Sequence, residues 1–176
     1  VEAVRRETAH GFTTVPGGAT RTDSVRAGLA ALAGDAPDAV MIHDAARPFL
    51  SSALIDRLAE ALDRHAAVIP ALPATDALMR VMTDGTIVEP VDRAVVRAAQ
   101  TPQAFRFDTL SAAYARLGGG GLADDAAVIL AAGGQVHTVE GEAENFKLTM
   151  PADFRRAEAM LMGETITVSG QGFDVH

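Results

Sequence analysis

The 176-residue chain has no cysteine and no tryptophan, one tyrosine and one lysine, and no apolar run near the ~20 residues needed to cross a bilayer. Without cysteine there can be no disulfide and no thiolate metal site, which fits a reducing compartment. Neither a signal peptide nor a membrane span is visible, so a cytoplasmic location without membrane partners is expected. Positive charge is also scarce: 15 basic residues stand against 23 acidic ones, for a net charge of −8. That balance opposes the sequence-independent attraction to phosphate on which nucleic-acid binding rests, and no basic block compensates, so nucleic acid is not expected as a partner. What remains is 48% hydrophobic and 22% charged, the composition of a globular protein. A chain of this length buries roughly 70% of its unfolded surface and needs no staples.

The most informative stretch is Asp38-Ala39-Val40-Met41-Ile42, followed at once by His43-Asp44-Ala45-Ala46-Arg47-Pro48. A short β-branched run reads as an inner strand, and open α/β sheets bind ligands just beyond the carboxyl ends of such strands. A carboxylate there can hold a hard cation such as Mg²⁺ while a guanidinium three residues on grips phosphate. The plainer reading of the same hexapeptide is a helix cap with a surface ion pair.

Along the chain, Phe12–Val15 reads as a short strand, broken by Pro16-Gly17-Gly18, with Asp23 or Ser24 capping a helix through Val25, Leu29 and Leu32. Ser51 or Ser52 caps a second helix through Leu54, Leu58 and Leu62, and Val68–Leu72 is the next strand. This alternation predicts βαβ crossovers and an α/β fold with a mostly parallel sheet and helices on both faces. After Pro73 the pattern changes. Leu78–Met82 and Thr86–Val91 flank Thr83-Asp84-Gly85, a hairpin signal, and a two-stranded ribbon must pack on something, a second subunit being a reasonable candidate. Asp108 then caps a helix through Leu110 and Tyr114, Gly118–Gly121 connects, and Asp124 and Asp125 lead another helix. Gln135–Val139 is a further strand, and Pro151 opens a last helix that ends at Gly163.

Several residues could carry chemistry. Lys147 is the lone lysine, a compact ammonium in a chain that otherwise uses arginine. Arg93 follows Asp92 at the end of the ribbon, and Pro102 biases Thr101 toward extended geometry. Gly17-Gly18-Ala19-Thr20-Arg21-Thr22-Asp23-Ser24 precedes a helix, so its N–H groups could meet an anion, although it has the spacing of neither a phosphate loop nor a dinucleotide fingerprint.

Taken in order, Gly17–Val25, His43–Pro48, Val91-Asp92-Arg93, Thr101–Phe105, Asp124-Asp125-Ala126 and Asn145–Thr149 with Asp153 resemble the 2-C-methyl-D-erythritol 4-phosphate cytidylyltransferases of the non-mevalonate isoprenoid pathway. The resemblance runs from about Phe12 to Leu161 and implies a Rossmann-like nucleotidyltransferase fold whose projecting β-hairpin arm crosses to a second subunit of a homodimer. It implies transfer from CTP to methylerythritol phosphate with release of pyrophosphate. By the same resemblance Asp44 holds Mg²⁺, and Gly18, Ser24 and Ala45 contact the cytidine nucleotide. Arg47 lies beside the substrate phosphate, while Arg93 from the partner and Lys147 orient the acceptor. Ala19, Ala77 and Ala123 depart from the family pattern, which puts three polar contacts in doubt. An acceptor such as ribitol 5-phosphate, or a non-catalytic dimerisation module on the same fold, are the alternatives.

Both ends read as cuts, since Val1 is not an initiator methionine and nothing before Gly17 matches the family's triphosphate-binding loop. Residues 1–162 are therefore read as a cytidylyltransferase domain without that loop, expected to be inactive alone. Residues 163–176, ending in Gly170-Gln171-Gly172-Phe173-Asp174-Val175-His176, resemble a linker and the first strand of a cyclodiphosphate synthase. Asp174 and His176 alternate onto one face of such a strand and suit two ligands of a divalent metal such as Zn²⁺. The expected parent is a bifunctional fusion.

Overall fold

A computed structural model describes residues 12–35, 37–117 and 122–162. In chain order the elements are α1 (Arg21–Leu32), β1 (Ala39–Ile42), α2 (Ser52–Leu62), β2 (Ala67–Pro73), β3 (Leu78–Val81), β4 (Ile87–Val91), a 3₁₀ turn (Arg93–Val95), β5 (Arg97–Ala99), β6 (Gln103–Arg106), α3 (Phe107–Arg116), α4 (Asp125–Ala131), β7 (His137–Glu140) and α5 (Pro151–Leu161). Gly118–Gly121, Gly163, Asp174 and His176 fall outside the described residues.

The sheet is mixed, which corrects the expectation of a mostly parallel one. Strands β1, β2 and β7 share a direction, but β6 lies antiparallel between β1 and β2. β5 and β6 follow one another along a single edge of β2, with a two-residue change of register between them at Thr101-Pro102, while β7 takes the other edge in parallel. The cause is the ribbon. Leaving β2, the chain turns back through β3 and β4 and returns alongside β2 without a helical crossover, and such a return can only be antiparallel. The helix-covered sheet is otherwise as expected. Ala67 and Phe105 face a core built with Leu29, Leu110 and Ile129 from α1, α3 and α4. Their neighbours Val68 and Ala104 face Leu54, Leu58 and Leu62 of α2 on the opposite side. This is the alternation that a pleated strand imposes.

Helix starts follow local chemistry, with two corrections. Thr20, rather than Asp23 or Ser24, caps α1: its hydroxyl accepts from Asp23 N at 3.1 Å, and the Thr-x-x-Asp spacing is that of a capping box. Asp108 does not cap α3, because β6 runs straight into that helix at Phe107 and leaves no room for a capping residue; Asp108 sits instead in the first turn, where the helix dipole favours its charge. Ser51 and Asp124 cap α2 and α4. Phe12–Val15 forms no strand, since among the described residues no neighbour offers it a ladder. The arm is a two-stranded sheet of its own, turned by Gly85 at φ +87. It leaves Met79, Val81, Ile87 and Val88 exposed. Among the described residues no helix is long and apolar enough to cross a membrane.

Candidate active site

β1, β2 and β7 run in one direction, so their carboxyl ends lie at one end of the sheet, where the turn that follows β1 sits. Arg47 N bonds back to Asp44 O at 2.9 Å, closing the turn. His43 is consumed in holding it. Its Nε2 faces the Arg47 carbonyl at 2.8 Å and must carry a proton, while Nδ1 pairs with the Thr101 hydroxyl at 3.1 Å; that hydroxyl in turn accepts from Asp44 N. The chain leaving β7 runs beside this turn, with Leu148 N on Ala46 O at 2.8 Å and Arg47 Nη1 donating to Asn145 O at 2.7 Å. Lys147 is thereby brought to Asp44, Nζ to Oδ2 at 2.9 Å. Asp44, Arg47 and Lys147 line one cleft of about 230 Å³, together with Arg21 and Asp124. The ion pair of Asp44 is therefore made with Lys147 and not with Arg47 of the same hexapeptide, whose guanidinium goes to the Asn145 carbonyl, and it lies inside a cleft.

The electrostatics suit anions. Burial raises the Asp44 carboxyl, but the hydrogen bond and charge of Lys147, helped by Arg21 and Arg47, outweigh it and hold its pKa below the ordinary carboxylate value. Burial pulls the Arg47 guanidinium down from its usual value, with Asp44 opposing. A guanidinium nevertheless stays charged at any physiological pH.

A second cleft of about 470 Å³ opens between α1 and β1, lined by Ser24, Gly28, Val40, Ile42 and Ala45. Ser24 Oγ accepts from Gly18 N at 3.1 Å and donates to Thr20 O at 3.0 Å, which folds the glycine loop onto the helix. A Cβ at Gly18 would lie 2.2 Å from that of Asp23, so no other residue fits there without moving the loop. Arg21 and Asp44 line both clefts, which therefore meet between them.

Sequence reasoning gave no role to Arg21. Its Nη2 lies 2.5 Å from Oδ2 of Asp125, a fully buried carboxylate to which the Tyr114 hydroxyl also donates. The hydrogen bond to Asp125 raises the Arg21 pKa against the effect of burial. Burial and then the bond to Asp125 push the Tyr114 hydroxyl far above its ordinary value. The partners are 104 positions apart, and no local pattern announces such a pair. Gln103 ties β6 to the same helix start, donating to Asp124 Oδ2 at 2.9 Å and accepting from Ala126 N at 3.0 Å.

Arg93 lies in the 3₁₀ turn at the base of the arm, exposed, with Nη1 on Thr75 O at 2.8 Å, and it lines neither cleft of its own chain. Among the described residues no cluster of three or more metal-ligating side chains exists. Asp124 has both oxygens engaged. Among the described residues the donor set available to a cation is thus the carboxylate of Asp44, one oxygen of which already takes Lys147, and this fits Mg²⁺ shared with substrate phosphates and does not fit an all-protein cage.

Asp153, the last member of the sequence pattern, closes the entry to α5 by accepting from Thr149 N, the Thr149 hydroxyl and Met150 N at 2.7–3.0 Å. These bonds lower its pKa. A carboxylate depressed in the folded state stabilises above its unfolded pKa, and that contribution is lost as pH falls through the folded value. The Asp153 carboxyl resonance should therefore titrate below the ordinary carboxylate range by NMR, with the start of α5 fraying as it does. A midpoint at or above the ordinary value would show that the three bonds do not form in solution.

Comparison with known proteins agrees with this geometry. The family profile described as "2-C-methyl-D-erythritol 4-phosphate cytidylyltransferase" matches residues 4–163. The chain is 62% identical over all 176 residues to a protein named "Bifunctional enzyme IspD/IspF" from Maricaulis maris, covering 46% of it. It is 51% identical to the protein of that name from Rhodospirillum rubrum, over 96% of this chain and 44% of that one. The chain thus spans less than half the length of these curated relatives. Among solved structures, 2-C-methyl-D-erythritol 4-phosphate cytidylyltransferase from Thermus thermophilus superposes with a TM-score of 0.74 at 37% identity, covering 91% of this chain and 86% of that one. The bifunctional IspDF of Campylobacter jejuni gives 0.73 at 30% identity, over 88% of this chain and 39% of that one. The chain belongs to the 2-C-methyl-D-erythritol 4-phosphate cytidylyltransferase family.

Proposed function

We propose that this chain is the cytidylyltransferase part of a bifunctional protein and moves a cytidylyl group from CTP to 2-C-methyl-D-erythritol 4-phosphate, forming 4-diphosphocytidyl-2-C-methyl-D-erythritol and pyrophosphate. The observation that carries this reading is the meeting of the two clefts between Arg21 and Asp44, with Lys147 and Arg47 on one side and the Gly18–Ser24 loop on the other. A nucleotide in the larger cleft would rest against Gly18, Ser24 and Ala45. The acceptor phosphate would enter beside Arg47 and Lys147.

The acceptor phosphate is already a nucleophile at neutral pH, with a second pKa of about 6, so no general base is needed. One of its oxygens bonds to the α-phosphorus as the bond to the β-phosphate oxygen breaks, and pyrophosphate leaves with the electron pair. Positioning and neutralisation of charge on phosphate oxygens remain for the protein to supply. Lys147 and Arg47 hold the attacking group and screen its repulsion from the nucleotide. Mg²⁺ on Asp44 would neutralise charge on the transferring phosphate.

Arg93 completes the acceptor site from the partner in a homodimer joined through the arm. Two features support this reading: the exposed apolar faces of the arm, and the distance of Arg93 from the clefts of its own chain. Asp174 and His176 belong, in this reading, to a divalent-metal site, such as one for Zn²⁺, in the synthase part. The enzyme would act in the cytoplasm, consistent with a chain free of cysteine.

The test is pyrophosphate release by the full-length gene product with CTP and either methylerythritol phosphate or ribitol 5-phosphate. Turnover with the former at least tenfold above the latter is expected. The reverse preference reassigns the acceptor, and no release with either supports a non-catalytic dimerisation module.

A further inference from the structure

Lys147 stands on residues 141–147, a strap that leaves β7 and is not part of any strand. A free strap would let a four-carbon side chain sample many positions, so something must fix its backbone. One buried side chain grips that backbone directly at two residues. Gln100, 5% exposed at the junction of β5 and β6, accepts from Glu142 N at 3.0 Å and donates to Glu142 O at 2.8 Å. The primary amide thus pairs with one residue's backbone as a neighbouring strand would. It also donates to Asn145 O at 3.3 Å, the carbonyl that takes Arg47 Nη1.

Asn145 is fully buried and donates its own amide to Thr101 O at 2.8 Å, so adjacent residues between β5 and β6 grip the strap at two points. Gly141 is part of the same fit: a Cβ there would lie 2.4 Å from Gln100 Oε1 and 3.2 Å from the Ala71 carbonyl carbon. Elsewhere the strap is held by Ser51 Oγ donating to the Glu142 carboxylate at 2.7 Å, by Arg156 donating to Ala143 O at 3.2 Å, by stacking of Phe146 on Phe49 and by the Arg156 guanidinium 4.0 Å from the Phe146 ring, but none of these reaches the Glu142 backbone.

We infer that Gln100 is a positioning residue for cytidylyl transfer: its side-chain amide clamps the strap so that the Lys147 ammonium is held at Asp44 and the acceptor phosphate. This rests on the reading that Lys147 acts on the acceptor. Gln100 lines the small cleft but is remote from the nucleotide cleft, whose walls come from α1, β1 and the turn after it. Its loss should therefore act on turnover rather than on CTP binding.

The experiment uses the full-length gene product with Gln100→Glu, Gly141→Ala and Lys147→Ala. Gln100→Glu keeps the acceptor for Glu142 N but sets an oxygen against two carbonyls, and Gly141→Ala displaces the same amide with no change of charge. Misplacing a catalytic group by about 1 Å costs on the order of 10²-fold, so each variant should lose ten- to hundredfold in kcat with the KM for CTP within about twofold. In the Lys147→Ala background each should cost no more than about twofold further, the part that reaches Arg47 through Asn145 O, because the main group they position is gone. Equal losses with and without Lys147, a KM for CTP that rises in step, or unchanged turnover in both variants would each overturn the clamp. Should Gln100→Glu fail to fold, Gly141→Ala alone decides by the same criteria. If Lys147→Ala itself leaves turnover unchanged, the underlying reading of the site fails and the clamp with it, a result distinct from loss in Lys147→Ala with none in the other two.

Discussion

Lys147→Ala and Arg93→Ala should each lower cytidylyl transfer by the full-length gene product by about 10²–10³-fold, the usual cost of removing one preorganised charge from a site where phosphate charge develops. Yet subunits carrying the two lesions, mixed and reassembled, should recover about a quarter of the wild-type rate. The arithmetic follows from a two-fold dimer in which each site draws Lys147 from one chain and Arg93 from the other. Random reassembly makes about half of the dimers mixed, and each mixed dimer has one site with both cations and one with neither. Pyrophosphate release from the unfractionated mixture measures this, and mixed dimers isolated through two different tags should reach about half of the wild-type rate. The observation behind the prediction is that Arg93, bonded to Thr75 O, lies outside the cleft that holds Asp44, Arg47 and Lys147. If mixed dimers recover nothing although both single variants are impaired, Arg93 acts within its own chain and the arm must move to bring it there.

The parts of the fold legible in the sequence are those written in local spacing. The apolar run before His43, the helix with Leu54, Leu58 and Leu62 on one face, and the turn at Gly85 each follow from neighbours a few residues apart. The direction of β6 is not legible, because a four-residue strand reads the same either way, and only its pairing with Ala39–Ile42 and Ala67-Val68 sets its sense. Thr20 does not stand out as the cap of α1 because Asp23 and Ser24 are equally good caps, and the helix begins one turn earlier than its apolar stripe. The turn at Asp44 and Arg47 can be placed by strand-end logic. Its link to Lys147 spans 103 positions and is reachable only through resemblance to a family. Gln100 is invisible for another reason: its role is to imitate backbone, and the sequence signal for that is one polar residue in a short loop-like stretch.

Arg21 carries the larger stability consequence. The Asp125 carboxylate has no exposure at all, and its neutralising partners are Arg21 and the Tyr114 hydroxyl at the start of α4. Removing one member of a buried pair strands the other and typically costs about 3–5 kcal/mol. Here the Arg21 side chain is 38% exposed, so water already screens part of the interaction, and the N-terminus of α4 continues to favour the negative charge. Arg21→Ala should therefore destabilise by about 2–3 kcal/mol. Arg21→Ala combined with Asp125→Asn should cost less than the sum of the two single changes, since the buried charge leaves with its partner. The readout is the unfolding free energy from hydrogen exchange at the amides of α4 in the full-length gene product, where exchange reports this region separately from any other domain. A single-variant loss below about 1 kcal/mol, or strict additivity in the double variant, would mean that the carboxylate is satisfied without the guanidinium. Arg21 would then be free to serve the clefts alone, and its position at the junction of both would have to be explained by the substrates rather than by the fold.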